Sequence, residues 1–255
     1  MKLFPRTLSS ALILVAASAQ AQVPGTLSDT QATDGMTNVI LIIGDGMDEQ
    51  QITIARNYLK GATGKLTLDK LPLRSVSQVL TIEDKVGGAP VYVADSANTA
   101  TSMATGEVTS RGRISTTAGN DKDIPTIAEL AIAAGYRAGI VTTASVTDAT
   151  PAAFAAHISY RLCENPDIVE HVEYSGIDLG GCPQDARKNG GPGAISEQLA
   201  ESRLSVILGG GSKHFLVNAE GKNDSVMNLA RDNGFQVVQS TNELLAAEAG
   251  QPLLG

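Results

Sequence analysis

The chain has 255 residues, 19 of them basic and 27 acidic, for a formal net charge of −8. That length can bury one substantial core. The acidic balance argues against nucleic acid as a partner, since a phosphate backbone calls for clustered Lys and Arg, and it makes any anionic substrate depend on a local cation that reverses the field.

Lys2 and Arg6 precede an apolar run from Leu8 to Ala17 broken only by Ser9 and Ser10, and Ala19-Gln20-Ala21 follows as a small-x-small cleavage site. Together these read as a secretory signal peptide over residues 1–21, because the run is well short of the ~20 apolar residues that span a bilayer. Cleavage after Ala21 leaves residues 22–255 as the mature chain and removes two basic residues and no acidic ones. No later segment is apolar enough for a membrane span, so the mature chain is expected in the periplasm or outside the cell.

Residues 38–43 (NVILII) form a continuous apolar run ended by Gly44-Asp45-Gly46, which suits a strand buried on both faces. Residues 48–60 carry Ile52, Ala55 and Leu59 at helical spacing. Residues 75–82 and 91–94 are strand candidates, and 96–105 has helix length with Gly106 where a helix commonly stops. Pro125 opens a helix through Ala134 that Gly135 closes, and 137–143 is the next strand. Thr150-Pro151 reads as an N-cap and first helical position for a helix toward Arg161. Residues 205–208 and 235–238 are short strands, and Ser240 or Thr241 caps a last helix reaching about Glu248. Strands alternating with helices imply an α/β fold, a mostly parallel central sheet with helices on both faces. No repeat or linker divides residues 22–255.

The two cysteines, Cys163 and Cys182, flank a stretch rich in Gly, Pro and Asp. Export places them in an oxidising compartment, where a disulfide contributes roughly 3 kcal/mol in the chain-entropy model. A pair of zinc thiolates is the rival, but no third ligand has suitable spacing.

Reactive groups in open α/β sheets gather at the carboxyl ends of strands. Asp45, Asp95-Ser96, and Asp148 with Thr150 all fall at expected strand-to-helix junctions. Asp45 between two glycines fits either a turn aspartate or a ligand that a metal can approach closely; Gly44-x-Gly46 lacks the third glycine of a dinucleotide fingerprint. Ser96 fits an ordinary N-cap or a nucleophile whose helix amides face an anion. The residues alone leave both open.

The stretch Val93 to Thr101 (VADSANTAT) resembles the active-site signature of the alkaline phosphatases. The order of motifs is similar too: Ile43-Gly44-Asp45-Gly46-Met47, Asp95-Ser96-Ala97, Asp148-Ala149-Thr150-Pro151-Ala152, then His157 through Arg161, Leu208-Gly209-Gly210-Gly211, and Pro252 to Gly255. The resemblance covers nearly all of residues 22–255, with Asn98 standing where the family more often has a small residue. It implies metal-dependent hydrolysis of phosphate monoesters through a phosphoserine on Ser96. It also implies Asp45 as a carboxylate shared by a zinc and a magnesium ion, Thr150 as a magnesium ligand, Asp148 ordering that ion's waters, and Arg161 binding two phosphate oxygens. Two zinc ions and one magnesium, a Cys163–Cys182 disulfide and a homodimer belong to the same expectation. Zinc would favour the Ser96 alkoxide and hold the attacking and leaving oxygens in line.

The histidines number three, His157, His171 and His214, and none is expected beside those junctions. His157 reads as a packed helix residue and His171 as part of the cysteine-flanked loop. In the family the zinc histidines, further aspartates and a magnesium-binding glutamate come from a second half that this sequence does not reach. The expectation is therefore an amino-terminal half, inactive alone. The alternatives are a secreted non-catalytic fragment, an interrupted gene product, or a related hydrolase of phosphodiesters or sulfate esters.

Overall fold

The computed structural model of the chain describes residues 38–255; the expected signal peptide lies outside them. Asp45–Gly255 is one compact unit. Its first helix, α1 (Glu49–Lys60), begins where Asp48 accepts the Gln50 and Gln51 amides and Gln51 returns a bond to the Asp48 N–H. Helix α2 (Ser96–Thr105) has the bounds the sequence predicts and stops at Gly106, whose φ of 79° suits glycine. Helix α3 (Ile127–Ala133) starts two residues after Pro125, because the Thr126 hydroxyl accepts the Glu129 amide and so fixes the cap there.

Strand β1 (Gly139–Ser145) leads into α4 (Ala149–Ala152), whose N-cap is Asp148 and not Thr150. The Asp148 carboxylate accepts the Ala149 N–H, which puts Thr150 inside the first turn. Nor does α4 run on to Arg161. Ile158 exchanges both backbone hydrogen bonds with Ile114, at 3.0 and 2.9 Å, and this pairing takes the chain out of the helix. A small hairpin follows, β2 (Glu173–Tyr174) and β3 (Ile177–Asp178), with positive φ at both turn residues, Ser175 and Gly176. The remaining elements are α5 (Ile195–Ala200), β4 (Val206–Gly210), α6 (Val226–Asp232), β5 (Gln236–Val237), α7 (Thr241–Ala246) capped by Ser240, and β6 (Leu253–Leu254).

The main sheet has the order β1-β4-β6-β5, and every pairing in it is parallel. It is the parallel sheet with helices that the alternating pattern implies. Ile207 and Leu254 of the sheet are buried with Ile195 and Leu199 of α5 and Val226 and Leu229 of α6. Helices α2 and α4 pack through small residues, Ala97, Ala100, Ala149 and Ala152, all essentially inaccessible. Their lack of bulk lets the two helix starts approach each other. At the end of β4 the backbone passes so close to β1 that a side chain on Gly209 would lie 2.6 Å from the Thr142 methyl, and one on Gly211 would collide with Ser145.

Three expected strands are absent. Residues 38–43 join no ladder among the described residues, and Val39, Ile40 and Ile42 are exposed. An apolar run becomes a strand only where a neighbour takes its backbone bonds. Residues 75–82 and 91–94 contribute a single pairing residue, Ile82, which bridges Pro90 and Ser110. The chain turns back through Gly87-Gly88 so soon that Glu83–Ala89 and Thr81–Val91 backbone bonds close a crossing and no ladder extends. Cys163 and Cys182 form a buried disulfide with a Cα–Cα distance of 6.3 Å, which removes the thiolate alternative.

Candidate active site

Ser96 is the first residue of α2, and its position is set by a reciprocal cap. The Asp95 carboxylate accepts the Asn98 amide at 3.1 Å while the Asn98 side-chain oxygen accepts the Asp95 N–H at 2.8 Å. Asn98 is fully buried, and its Nδ2 donates to the Leu80 carbonyl at 3.0 Å. The unusual residue in the signature therefore ties the serine-bearing turn to the preceding segment. Asp95 also accepts the Gly112 amide at 3.2 Å.

Arg161 enters from the loop beyond α4, where its own amide donates to the Gly112 carbonyl at 2.7 Å. Nη1 donates to Ser96 Oγ and Nη2 to Asp148 Oδ1, each at 2.7 Å, and Nη1 lies 3.5 Å from Asp95 Oδ2. The planar guanidinium thus spans two helix starts, held at one end by a carboxylate and facing a hydroxyl at the other. A fork fixed in this way suits the oxygens of a tetrahedral anion.

Thr150 Oγ1 donates to Asp45 Oδ2 at 2.9 Å. The sequence-derived residues therefore fall into two groups, Ser96, Arg161 and Asp148 in one and Asp45 with Thr150 in the other, joined through the first turn of α4. A carboxylate and a hydroxyl are hard oxygen donors of the kind magnesium takes, with water completing its shell. Zinc also takes carboxylate oxygen but commonly adds histidine nitrogen or cysteine sulfur to a set of three or four protein ligands, and no imidazole reaches this site. Among the described residues no group of three or more His, Cys, Asp or Glu is arranged to hold a metal. The donors here fit magnesium, and Asp45 alone would be one of the several ligands a zinc ion needs.

All three histidines are engaged elsewhere. His157 is not helical; its Nδ1 lies 2.9 Å from the Ser115 carbonyl and its Nε2 2.9 Å from Glu129 Oε1. Burial, the largest influence on His157, lowers its pKa, yet bonds to Glu129 and Ser115 outweigh burial and hold it above 6.5. His171 sits within the disulfide loop, 3.5 Å from Asp178. His214, which the sequence places away from the junctions, does stand at a strand end: it closes the turn Ser212–His214 directly after β4. It bonds Glu164 at 3.0 Å. Glu164 carried no sequence signal, being one acidic residue among many. Burial, the largest influence on it, raises its pKa, but bonds from His214 and Thr147 bring it below 4.5.

Fold and site define an α/β protein in which a loop arginine joins a serine at one helix start to the carboxylate that caps another. The family model described as alkaline phosphatase matches residues 36–255, and the chain belongs to that family. It is 41% identical over 250 residues to streptomycin-6-phosphate phosphatase of Streptomyces griseus, a match covering 97% of this chain and 52% of that protein. It is 39% identical over 236 residues to alkaline phosphatase of Escherichia coli strain K12, covering 90% and 48%. A solved structure, the cold-active alkaline phosphatase of the psychrophile Shewanella sp., superposes with a TM-score of 0.57 at 26% identity, over 84% of this chain and 44% of that one. The chain spans about half the length of the curated relatives it matches.

Proposed function

We propose that the whole protein hydrolyses phosphate monoesters by way of a phosphoserine at Ser96. The observation that carries this reading is the 2.7 Å bond from Arg161 Nη1 to Ser96 Oγ, with Asp148 fixing the other end of the same guanidinium. A phosphoryl group at this point has Arg161 for two of its non-bridging oxygens and the amides of the α2 start for negative charge. Ser96 Oγ forms a bond to phosphorus as the bond to the ester oxygen breaks and the alcohol leaves with a proton. Water then cleaves the phosphoserine to inorganic phosphate. A hydroxyl that accepts a bond from a cation has its ionised form favoured, so Arg161 both holds the substrate and assists the nucleophile.

Asp45 and Thr150 would hold magnesium, which when bound supplies positive charge and ordered water beside the phosphoryl group. Asp148 orients Arg161 directly and would order such water. Two zinc ions, as the family resemblance implies, would need ligands besides Asp45 and Ser96, and the described residues bring no imidazole here. The disulfide and the leader pattern support export to the periplasm or beyond, and among the described residues no helix is long and apolar enough to cross a membrane. A homodimer is part of the same family-based reading.

Arg161→Ala tests the anion site. Losing hydrogen bonds to a charged group costs ~1.5–3 kcal/mol each, so inhibition of the whole protein by inorganic phosphate should weaken at least about tenfold with little change in melting temperature. An unchanged inhibition constant would remove Arg161 from the site.

A further inference from the structure

Behind Asp148 and Arg161 lies a largely buried polar chain that neither phosphate nor magnesium binding uses. Thr147, fully buried between the end of β1 and Asp148, donates its hydroxyl to Glu164 Oε2 and receives that of Ser145 at 2.7 Å. Glu164 Oε2 also faces Nε2 of the buried His214 at 3.0 Å. On the other side of the ring, His214 Nδ1 lies 2.9 Å from Asn165 Nδ2. Asn165 Oδ1 already accepts the Asp167 amide at 3.0 Å, which fixes the orientation of the Asn165 amide. Nδ1 is therefore the acceptor, and Nε2 carries the proton given to Glu164.

Glu164 follows Arg161 by three residues, so these bonds close a ring. It runs from the Arg161 guanidinium to Asp148, through the peptide to Thr147, across to Glu164 and back along the chain to Arg161. The ring is moored at the ends of two parallel strands, by Thr147 after β1 and His214 after β4. It is moored also at α5, where Ile195 and Ser196 donate their amides to the carbonyls of Cys163 and Glu164 at 3.2 and 3.0 Å.

We infer that Glu164, clamped by His214, is a positioning residue of the anion site: through Thr147 it fixes the Asp148 carboxylate against which Arg161 is aimed. The inference rests on the phosphate-binding role of Arg161 proposed above. Thr147→Val removes the hydroxyl at nearly constant shape, and Thr147→Ser restores it. Two readouts separate the ideas, the rotation of the Arg161 guanidinium by nitrogen-15 NMR of arginine-labelled protein and inhibition of the whole protein by inorganic phosphate. In Thr147→Val the guanidinium should rotate more freely, and phosphate inhibition should weaken about tenfold, with kcat less affected than KM. Thr147→Ser should stay within about twofold of the parent on both counts. Should Thr147→Val fail to fold, Glu164→Gln, with a neutral oxygen in place of the carboxylate, should give the same two changes at about threefold. A valine variant with lowered melting temperature but parental guanidinium rotation and phosphate inhibition would reduce the ring to a structural role and overturn the proposal. If Arg161→Ala leaves phosphate inhibition unchanged, the phosphate-binding reading fails, and the guanidinium readout still decides whether Thr147 and Glu164 position Arg161.

Discussion

Both ends of the Arg161 guanidinium are engaged, one by Asp148 and the other by Ser96, and the position of Ser96 depends in turn on Asn98. The residue types at this centre were legible because Asp-Ser before small residues and a lone Arg after Asp-x-Thr-Pro are specific patterns. The part played by Asn98 was not, since a buried amide bonded to a carbonyl 18 residues earlier leaves no mark at short range. Asn98→Ala keeps the backbone half of the cap but removes the side-chain oxygen over the Asp95 N–H and the amide that donates to the Leu80 carbonyl. Losing the half-cap costs ~1 kcal/mol, and losing the part-buried bond to the Leu80 carbonyl a further ~0.5–1.5 kcal/mol. Chemical denaturation should show a loss of about 1.5–2.5 kcal/mol, whereas a loss under about 0.5 kcal/mol would mean that Asn98 is an incidental filler.

At the scale of elements, α3 is fastened to the site region by Glu129, which caps its own helix and bonds His157, while the Thr126 hydroxyl reaches the Phe154 carbonyl. His157 is held above 6.5, burial opposing and Glu129 and Ser115 prevailing; Glu129 is held below 4.5, where again burial opposes and the His157 and Thr126 bonds prevail. The His157 contribution is thus complete below about pH 6.5 and is lost as pH rises through its folded pKa; that of Glu129 is complete above about pH 4.5 and is lost on acidification. The melting-temperature difference between the parent and His157→Gln should therefore be greatest near pH 5.5–6 and shrink by about pH 8.5. A difference that is flat across that range would show that the pair contributes by packing alone. Helices with a polar cap and a glycine stop, such as α2, were readable to the residue. Helix α5, whose N-cap Ala194 has no side chain to accept the first amides, and β6, two residues long in the middle of the sheet, depend on tertiary neighbours and carry little local signal.

For the molecule as a whole, several apolar side chains stand in solvent, among them Ile54 and Tyr58 of α1, Leu130 of α3 and Val141 of β1. So much exposed apolar surface marks contact sites or an aggregation hazard. The donors near Ser96 are oxygens in two small groups. Expressed alone with zinc and magnesium added, residues 22–255 should show little hydrolysis of p-nitrophenyl phosphate and no pair of tightly bound zinc ions. Robust turnover with two zinc ions retained through dialysis would mean that the ligand inventory is wrong.

The central claim is that Ser96 receives the phosphoryl group. The most direct measurement is to acid-quench the whole protein during turnover of a phosphorus-32 monoester and to map the labelled peptide. Label is expected on the peptide containing Ala94 to Thr101, at Ser96, and should vanish in Ser96→Ala together with turnover. Label on another residue, or full turnover in Ser96→Ala, would contradict the account.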